Sequence, residues 1–378
     1  MGPVRSARTG AGVNMVAAAD NPAIPMPART PRIWRWLRGG LIAAILCYLP
    51  FVLTSRSIFG VRLSNMQLLN LGMSQINLML VAMLGALSLN FLTGFAGLIS
   101  IGHAAFYATG AMTAAIAGTQ WGWPFPLVLL AAALSGAVAG LLAGLPSLRV
   151  RGLYFVLSTL AVHHLVNYVF LEYQFKYYDV VGIPYIGAAL AGFELNTPLR
   201  WYFFLLPLVT VVYLGLHNSL DTREGRMLMA MRDHELAATA VGADVRILRL
   251  KAFAVSSAIA SVAGALYAYV LGNATSESFG ISFAIQFIAM IIIGGLGSLN
   301  GALVGAAVWL LLPSILSGLA PSSVDATGLV RLILVEHKAQ LVQAIFGMLV
   351  ILLLIFAPGG ISGMGQKLRQ LLSSGRGA

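Results

Sequence analysis

Ala252-Phe253-Ala254-Val255-Ser256-Ser257-Ala258-Ile259-Ala260-Ser261-Val262-Ala263-Gly264-Ala265-Leu266-Tyr267-Ala268-Tyr269-Val270-Leu271 runs for twenty residues without a charged side chain. As a helix it would extend about 30 Å, the thickness of the hydrocarbon layer of a bilayer. It lacks the strict apolar–polar alternation that a membrane barrel strand needs. The stretch therefore predicts a membrane-spanning helix, with Lys251 at its end.

Apolar runs of the same kind fall near 39–55, 67–92, 104–119, 124–146, 153–172, 200–218, 282–299, 301–319 and 341–357. With 252–271 they make ten spans, and at roughly 20 residues each they would place roughly 200 residues in the bilayer. Composition agrees: mean hydropathy is +0.87, and only 9% of residues are charged, against roughly 25% in a soluble domain. A soluble globule is excluded. The expected fold is an all-α integral membrane protein of about ten transmembrane helices with broken, Gly-rich segments. Residues 1–38, rich in Ala, Pro and Arg without periodicity, read as a disordered cytosolic lead, 39–363 as the transmembrane domain and 364–378 as a cytosolic tail. The run at 39–55 is short and contains Pro50, but some forty residues precede it and no A-x-A cleavage site follows, so it reads as a helix rather than a signal-peptide core.

Ten spans put both termini on one side, and the excess of Lys and Arg selects the cytosol. Seventeen of the 23 bases then lie inside and six outside. The net charge of +11 gathers on the face that meets anionic headgroups, and no nucleic acid is needed to explain it.

No Asp, Glu, Lys or Arg falls clearly within a span, so neither a proton-coupling carboxylate nor a voltage-sensing arginine ladder is present. His103 and the pair His163 and His164 are the polar exceptions, open to a hydrogen bond across the bundle or a role in transport. None of the four lysines follows a glycine, so no phosphate loop can be written. The single cysteine, Cys47, rules out an intrachain disulfide and a thiolate metal site. No catalytic set or metal cluster can be assembled, and no cofactor is expected. Energy for any uphill transport must come from elsewhere.

Two segments carry more. The first, within the predicted inner loop 219–250, reads Asp221-Thr222-Arg223-Glu224-Gly225-Arg226-Met227-Leu228-Met229-Ala230-Met231-Arg232-Asp233-His234-Glu235-Leu236-Ala237-Ala238-Thr239-Ala240-Val241-Gly242. Asp233 can cap a short helix, Leu236, Ala237, Ala240 and Val241 give it an apolar stripe, and Gly242 supplies a left-handed stop. Such a helix either docks in a partner's groove or packs under its own bundle. The second reads Gly94-Phe95-Ala96-Gly97-Leu98-Ile99-Ser100-Ile101-Gly102-His103-Ala104-Ala105-Phe106-Tyr107-Ala108-Thr109-Gly110. Its glycines suit a broken helix lining a wet path, with N–H groups near Ser100 to Gly102 aimed at an anionic substrate group, or close packing of small residues. On the path reading, Gly102→Leu blocks uptake while stability and assembly survive. The stretch Gly294-Gly295-Leu296-Gly297-Ser298-Leu299-Asn300-Gly301 reads as a tight helix break.

Taken together, these residues resemble the LivM-type permease of branched-chain amino acid ABC importers. The inner loop, the following Lys251-Ala252-Phe253-Ala254-Val255-Ser256 and Ala263-Gly264-Ala265-Leu266-Tyr267, the segment 94–110 and the segment 294–301 all match that family's pattern, over about 68–363. The resemblance implies a non-enzymatic, multi-pass subunit of the bacterial inner membrane. It implies as partners a second homologous permease, two ATP-binding subunits and a periplasmic or extracellular substrate-binding protein. It assigns Arg226, Arg232, Glu235, Ala237, Ala238 and Gly242 to coupling with the ATPase. The path residues would be Gly94, Gly97, Ser100, Gly102, His103, Gly294, Gly295, Gly297 and Ser298. The sequence departs from the family at Leu98, at Tyr178-Asp179-Val180-Val181-Gly182-Ile183-Pro184 and at Phe356-Ala357-Pro358-Gly359-Gly360. Urea and amide importers have similar permeases and stay open as alternatives, as does a self-sufficient channel.

Overall fold

A computed structural model describes residues 72–319 apart from 151, 179–181, 186 and 191, together with 57–58, 61–62 and short pieces between 344 and 363. The predicted span at 39–55, the lead at 1–38 and the tail at 364–378 lie outside the described residues, as does most of 341–357.

The elements follow the apolar runs. In chain order they are β1 (Ser57–Ile58), β2 (Val61–Arg62), α1 (Met73–Leu89), α2 (His103–Ala114), α3 (Phe125–Gly144), α4 (Leu153–Tyr177), β3 (Ile183–Pro184), β4 (Ala189–Leu190), β5 (Phe193–Glu194), α5 (Pro198–Asp221), α6 (Arg223–Asp233), α7 (Glu235–Ala240), α8 (Val245–Leu271), β6 (Asn273–Ala274), α9 (Ile281–Gly294) and α10 (Leu299–Leu319). Helix α1 continues through a wider turn at Asn90–Phe95, and α2 through another at Ala115–Gln120. The strands form three antiparallel pairs, β1 with β2, β3 with β6 and β4 with β5. The pairing of Ile183 with Ala274 fastens the loop after α4 to the end of α8.

Six helices among the described residues are long and apolar enough to cross a membrane: Met73–Phe95, Phe125–Leu148, Leu153–Tyr177, Pro198–Asp221, Val245–Leu271 and Ser276–Gly294. The run at 104–119 is helical but is not one of these six. Helix α2 is enclosed by α1, α3, α4 and α8, so Ala, Gly and Thr serve where a lipid-facing helix needs Leu and Ile. The run at 282–299 is also shortened, because the helix stops at Gly294.

Helix α8, the stretch quoted at the outset, holds the bundle together. Asp244 caps it, its carboxylate accepting from the backbone N–H groups of Arg246 and Ile247 at 3.1 and 3.2 Å. Its small side chains let neighbours approach to backbone distance. A Cβ added at Gly110 would overlap the Ser261 carbonyl, at Gly264 the Tyr107 backbone, and at Gly140 the Ser257 hydroxyl. Helices α2 and α3 thus seat glycines on the serine and glycine face of α8, the membrane packing mode that substitutes van der Waals fit for hydrophobic drive. Tyr107, Phe283 and Phe287 stack beside this seam, with ring centroids 4.9–5.3 Å apart. Leucines 127, 130, 134 and 142 on α3 and Leu157 and Leu165 on α4 stay exposed, as lipid-facing side chains would.

Candidate functional site

Both glycine-rich breaks are turns, and they meet. The chain leaves the helical region after Phe95, turns at Gly97 with φ +73°, and re-enters at His103. Between α9 and α10 it turns through Gly295 and Gly297, with φ +113° and +75°. Positive φ is cheap only for glycine, so Gly97 and Gly297 fix where the helices stop. Ser298 then starts α10: its hydroxyl accepts from the Gly301 N–H at 3.1 Å. The same hydroxyl lies 2.8 Å from that of Ser362.

Asn90 joins the two turns. Fully buried in α1's continuation, it donates through Nδ2 to the Ser298 carbonyl at 2.7 Å and accepts through Oδ1 from the Gly297 N–H at 3.0 Å. Gly94 has no side chain because Asn90 Oδ1 and the Gly297 nitrogen occupy the space a Cβ would need. Nothing in the sequence reading singled out Asn90; the available signal was a carboxamide late in an apolar run, which must find a partner if buried.

Arg232, at the end of α6, reaches the same place. Its Nη1 donates to the Gly94 carbonyl. A Cβ at Gly97 would stand 3.0 Å from Arg232 Cγ, and one at Gly297 would stand 2.7 Å from Nη1. The end of α6 therefore sends one guanidinium between both breaks, and the turns at 94–97 and 294–301 lie beside it.

The remaining predicted residues separate. Gly102 is packed against the Thr159 backbone of α4 with no space for a Cβ. A side chain at this position would have to displace the Thr159 carbonyl. Ser100 is buried, with no hydroxyl partner among the described residues. His103 is buried, and its Nε2 lies 2.7 Å from the Ser88 hydroxyl, a bond across the bundle. His163 is buried and His164 exposed, on different faces of α4.

The segment 221–242 is two helices, not one. Thr222 caps α6, accepting from the Gly225 N–H at 3.2 Å. Asp233 ends α6 instead of capping α7, whose N-cap is the extended His234. Arg226 bonds the Asp221 carbonyl at 2.6 Å, and Gly242, with φ +88°, is the left-handed stop. Leu236 and Val241 are 84% and 83% exposed, and Ala237 and Ala240 are exposed beside them. Ala238 instead turns inward at 4%. The stripe thus does not pack on the underside of the described bundle. Beside it, Met227, Ala230, Ala237, Ala238 and Val241 line a groove of about 310 Å³ rimmed by Arg223 and Arg226.

Glu235, first in α7, is clamped to α8. Its Oε2 accepts from Arg249 Nη2 at 2.7 Å, while Arg249 Nη1 donates to the Ser147 carbonyl at 2.7 Å. Farther out, Lys251 and Glu224 pair at 2.5 Å. Exposed as they are, they add at most about 1 kcal/mol.

The family model for "Branched-chain amino acid transport system / permease component" matches residues 73–357. The chain is similar to the high-affinity branched-chain amino acid transport system permease protein LivM of Escherichia coli, 31% identical over 236 residues. It is equally similar to the LivM protein of Salmonella typhimurium, and each match covers 56% of either chain. The chain thus spans about half the length of these curated relatives. No solved structure matches it. With a family match across most of its length, laid on a multi-pass helical bundle, the chain belongs to the family of branched-chain amino acid transport permease components.

Proposed function

We propose that the chain is the permease subunit of an ATP-driven importer for leucine, isoleucine and valine, and catalyses no chemistry itself. It spans the bacterial inner membrane about ten times with both termini in the cytosol. It works with a second homologous permease, two ATP-binding subunits and an external binding protein. The observation that carries this reading is Arg232, one side chain linking the inner segment to both glycine turns. A channel has no use for such a link. In an importer, movement of α6 and α7 under an ATPase is passed by that guanidinium to the ends of α1, α2, α9 and α10. The exposed Leu236 and Val241 and the groove beside them supply a surface for the ATPase to hold. The substrate class is supported by the names of the relatives.

The test is reconstitution of the chain with its companion subunits in liposomes. Labelled leucine uptake should require ATP, and isoleucine and valine should compete while urea and acetamide do not. Selective flux through the purified chain alone, without nucleotide, refutes the reading; competition by urea or amides replaces the substrate.

A further inference from the structure

Helix α4 carries a line of buried polar side chains. Thr159, His163 and Asn167 stand four residues apart, so they follow one another along one face over about 12 Å. Thr159 and His163 are 2% and 1% exposed. The face is turned to the start of α2, because the Thr159 backbone is what a Cβ at Gly102 would strike. Rings close the line at both ends. Phe155 packs on Phe253 of α8, and Phe170 on Phe279 of the turn before α9, with centroids 5.6 and 5.9 Å apart.

The Thr159 hydroxyl is satisfied by the Val156 carbonyl at 2.8 Å. The next two side chains are not. Neither ring nitrogen of His163 has a hydrogen-bond partner among the described residues, nor has the buried Oδ1 of Asn167. Burying such groups unmet is costly, and an apolar side chain of similar size would pack there without that cost. The pair therefore favours a second state, in which water reaches this face.

Helix α4 is built to supply one. It leans mainly on α2 and on the turn at Ser276–Phe279, while Leu157, Leu165 and Tyr168 are exposed on other faces. It begins at Gly152, where φ is +62° and a Cβ would meet nothing within 4 Å, so the joint has open space around it. At the same end lies a cavity of about 430 Å³, walled by Leu98, Ile99, Leu153 and Val156 and bounded by Glu235 of α7. It reaches the seam between α2 and α4 about one turn before Thr159.

We propose that this seam is the transport path, closed in this structure, and that His163 and Asn167 line it once α4 parts from α2. As the seam stands, nothing reaches the His163 nitrogens or the Asn167 Oδ1; the solute enters only with the movement. From the cavity the way leads past the contact of Gly102 with Thr159 and then along the two polar side chains. These exchange hydrogen bonds with water and with the ammonium and carboxylate of the passing amino acid. The proposal rests on the transport reading for the identity of the solute.

The test uses the complex of the chain with its companion subunits in liposomes. The single cysteine, Cys47, is replaced by Ser, and a thiol is introduced by His163→Cys, with Asn167→Cys as a second reporter. Modification of this chain by a charged methanethiosulfonate, read by mass spectrometry, should be at least about tenfold faster with ATP than without nucleotide. Leu165→Cys, on an exposed face of the same helix, should show no such dependence. His163→Leu separates path from packing. A merely structural histidine destabilises the protein when it is replaced; here the thermal midpoint should stay or rise, while leucine uptake falls at least about tenfold. His163→Gln, which returns hydrogen-bonding groups, should recover uptake, and Asn167→Leu repeats the comparison at the second position. Thiol rates independent of nucleotide, wild-type uptake by both leucine variants, or a midpoint that falls in both overturns the proposal. If the wild-type complex moves no leucine, the transport reading fails, and the seam is decided by the thiol rates with and without ATP alone.

Discussion

Replacing Asn90 by Leu keeps the approximate size and apolar fit of a buried position while removing both hydrogen bonds that join the glycine turns. The Gly297 N–H and the Ser298 carbonyl lose their partner at 3.0 and 2.7 Å, beside a side chain that is fully buried. Two orphaned buried groups at about 1–3 kcal/mol each give a loss of about 2–6 kcal/mol. If the bonds were worth only the membrane average of about 0.6 kcal/mol, the loss would be about 1 kcal/mol. The two estimates are far enough apart to measure. Denaturant unfolding of the detergent-solubilised protein, followed by helical circular dichroism, should place Asn90→Leu at least about 2 kcal/mol below the wild type. Leucine uptake should fall with it even where the protein is still folded, because the turns no longer move as one. A loss under about 0.5 kcal/mol, the range of an ordinary surface change, refutes the claim that Asn90 holds the two breaks together.

Other expectations follow from the same geometry. Gly264→Leu drives a side chain into the Tyr107 backbone and should cost about 3 kcal/mol or more, read as loss of the folded protein on thermal unfolding. Gly215→Leu on α5, where nothing lies within 4 Å, is the control and should stay within about 0.5 kcal/mol. Leu236→Asp combined with Val241→Asp alters two exposed residues, so the chain should remain folded in the membrane while the ATPase no longer co-purifies. Retained ATPase would place the docking surface elsewhere.

The helices were legible because a bilayer makes strong demands. Each span must be apolar and about 20 residues long, and the runs at 124–146, 153–172, 200–218 and 252–271 coincide with α3, α4, α5 and α8. Packing was less legible. Gly97 and Gly102 look alike in sequence, yet one has φ +73° in a turn and the other lies against the Thr159 backbone; composition does not separate a glycine that bends from one that touches. The short helix before Gly242 and its left-handed stop were readable from local spacing, whereas the inward turn of Ala238 depends on how α7 lies against its neighbours. What sequence could not give was the meeting of the two glycine segments. Asn90 and Gly297 are 207 positions apart, and neither periodicity nor capping reaches across such a distance. Arg249 was likewise counted as one more inner base, since its clamp on Glu235 and Ser147 arises only from tertiary contact.

The most direct measurement is the number of leucine molecules moved per ATP hydrolysed by the reconstituted complex carrying Arg232→Ala. The guanidinium between Gly94 and Gly297 is removed, while Leu236, Val241 and the groove of α6 and α7 are untouched. The ATPase should still co-purify and hydrolyse ATP, and the ratio should drop by at least about tenfold, equivalent to about 1.4 kcal/mol of lost coupling. A wild-type ratio in that variant would contradict the assignment of Arg232 as the link between motor and path.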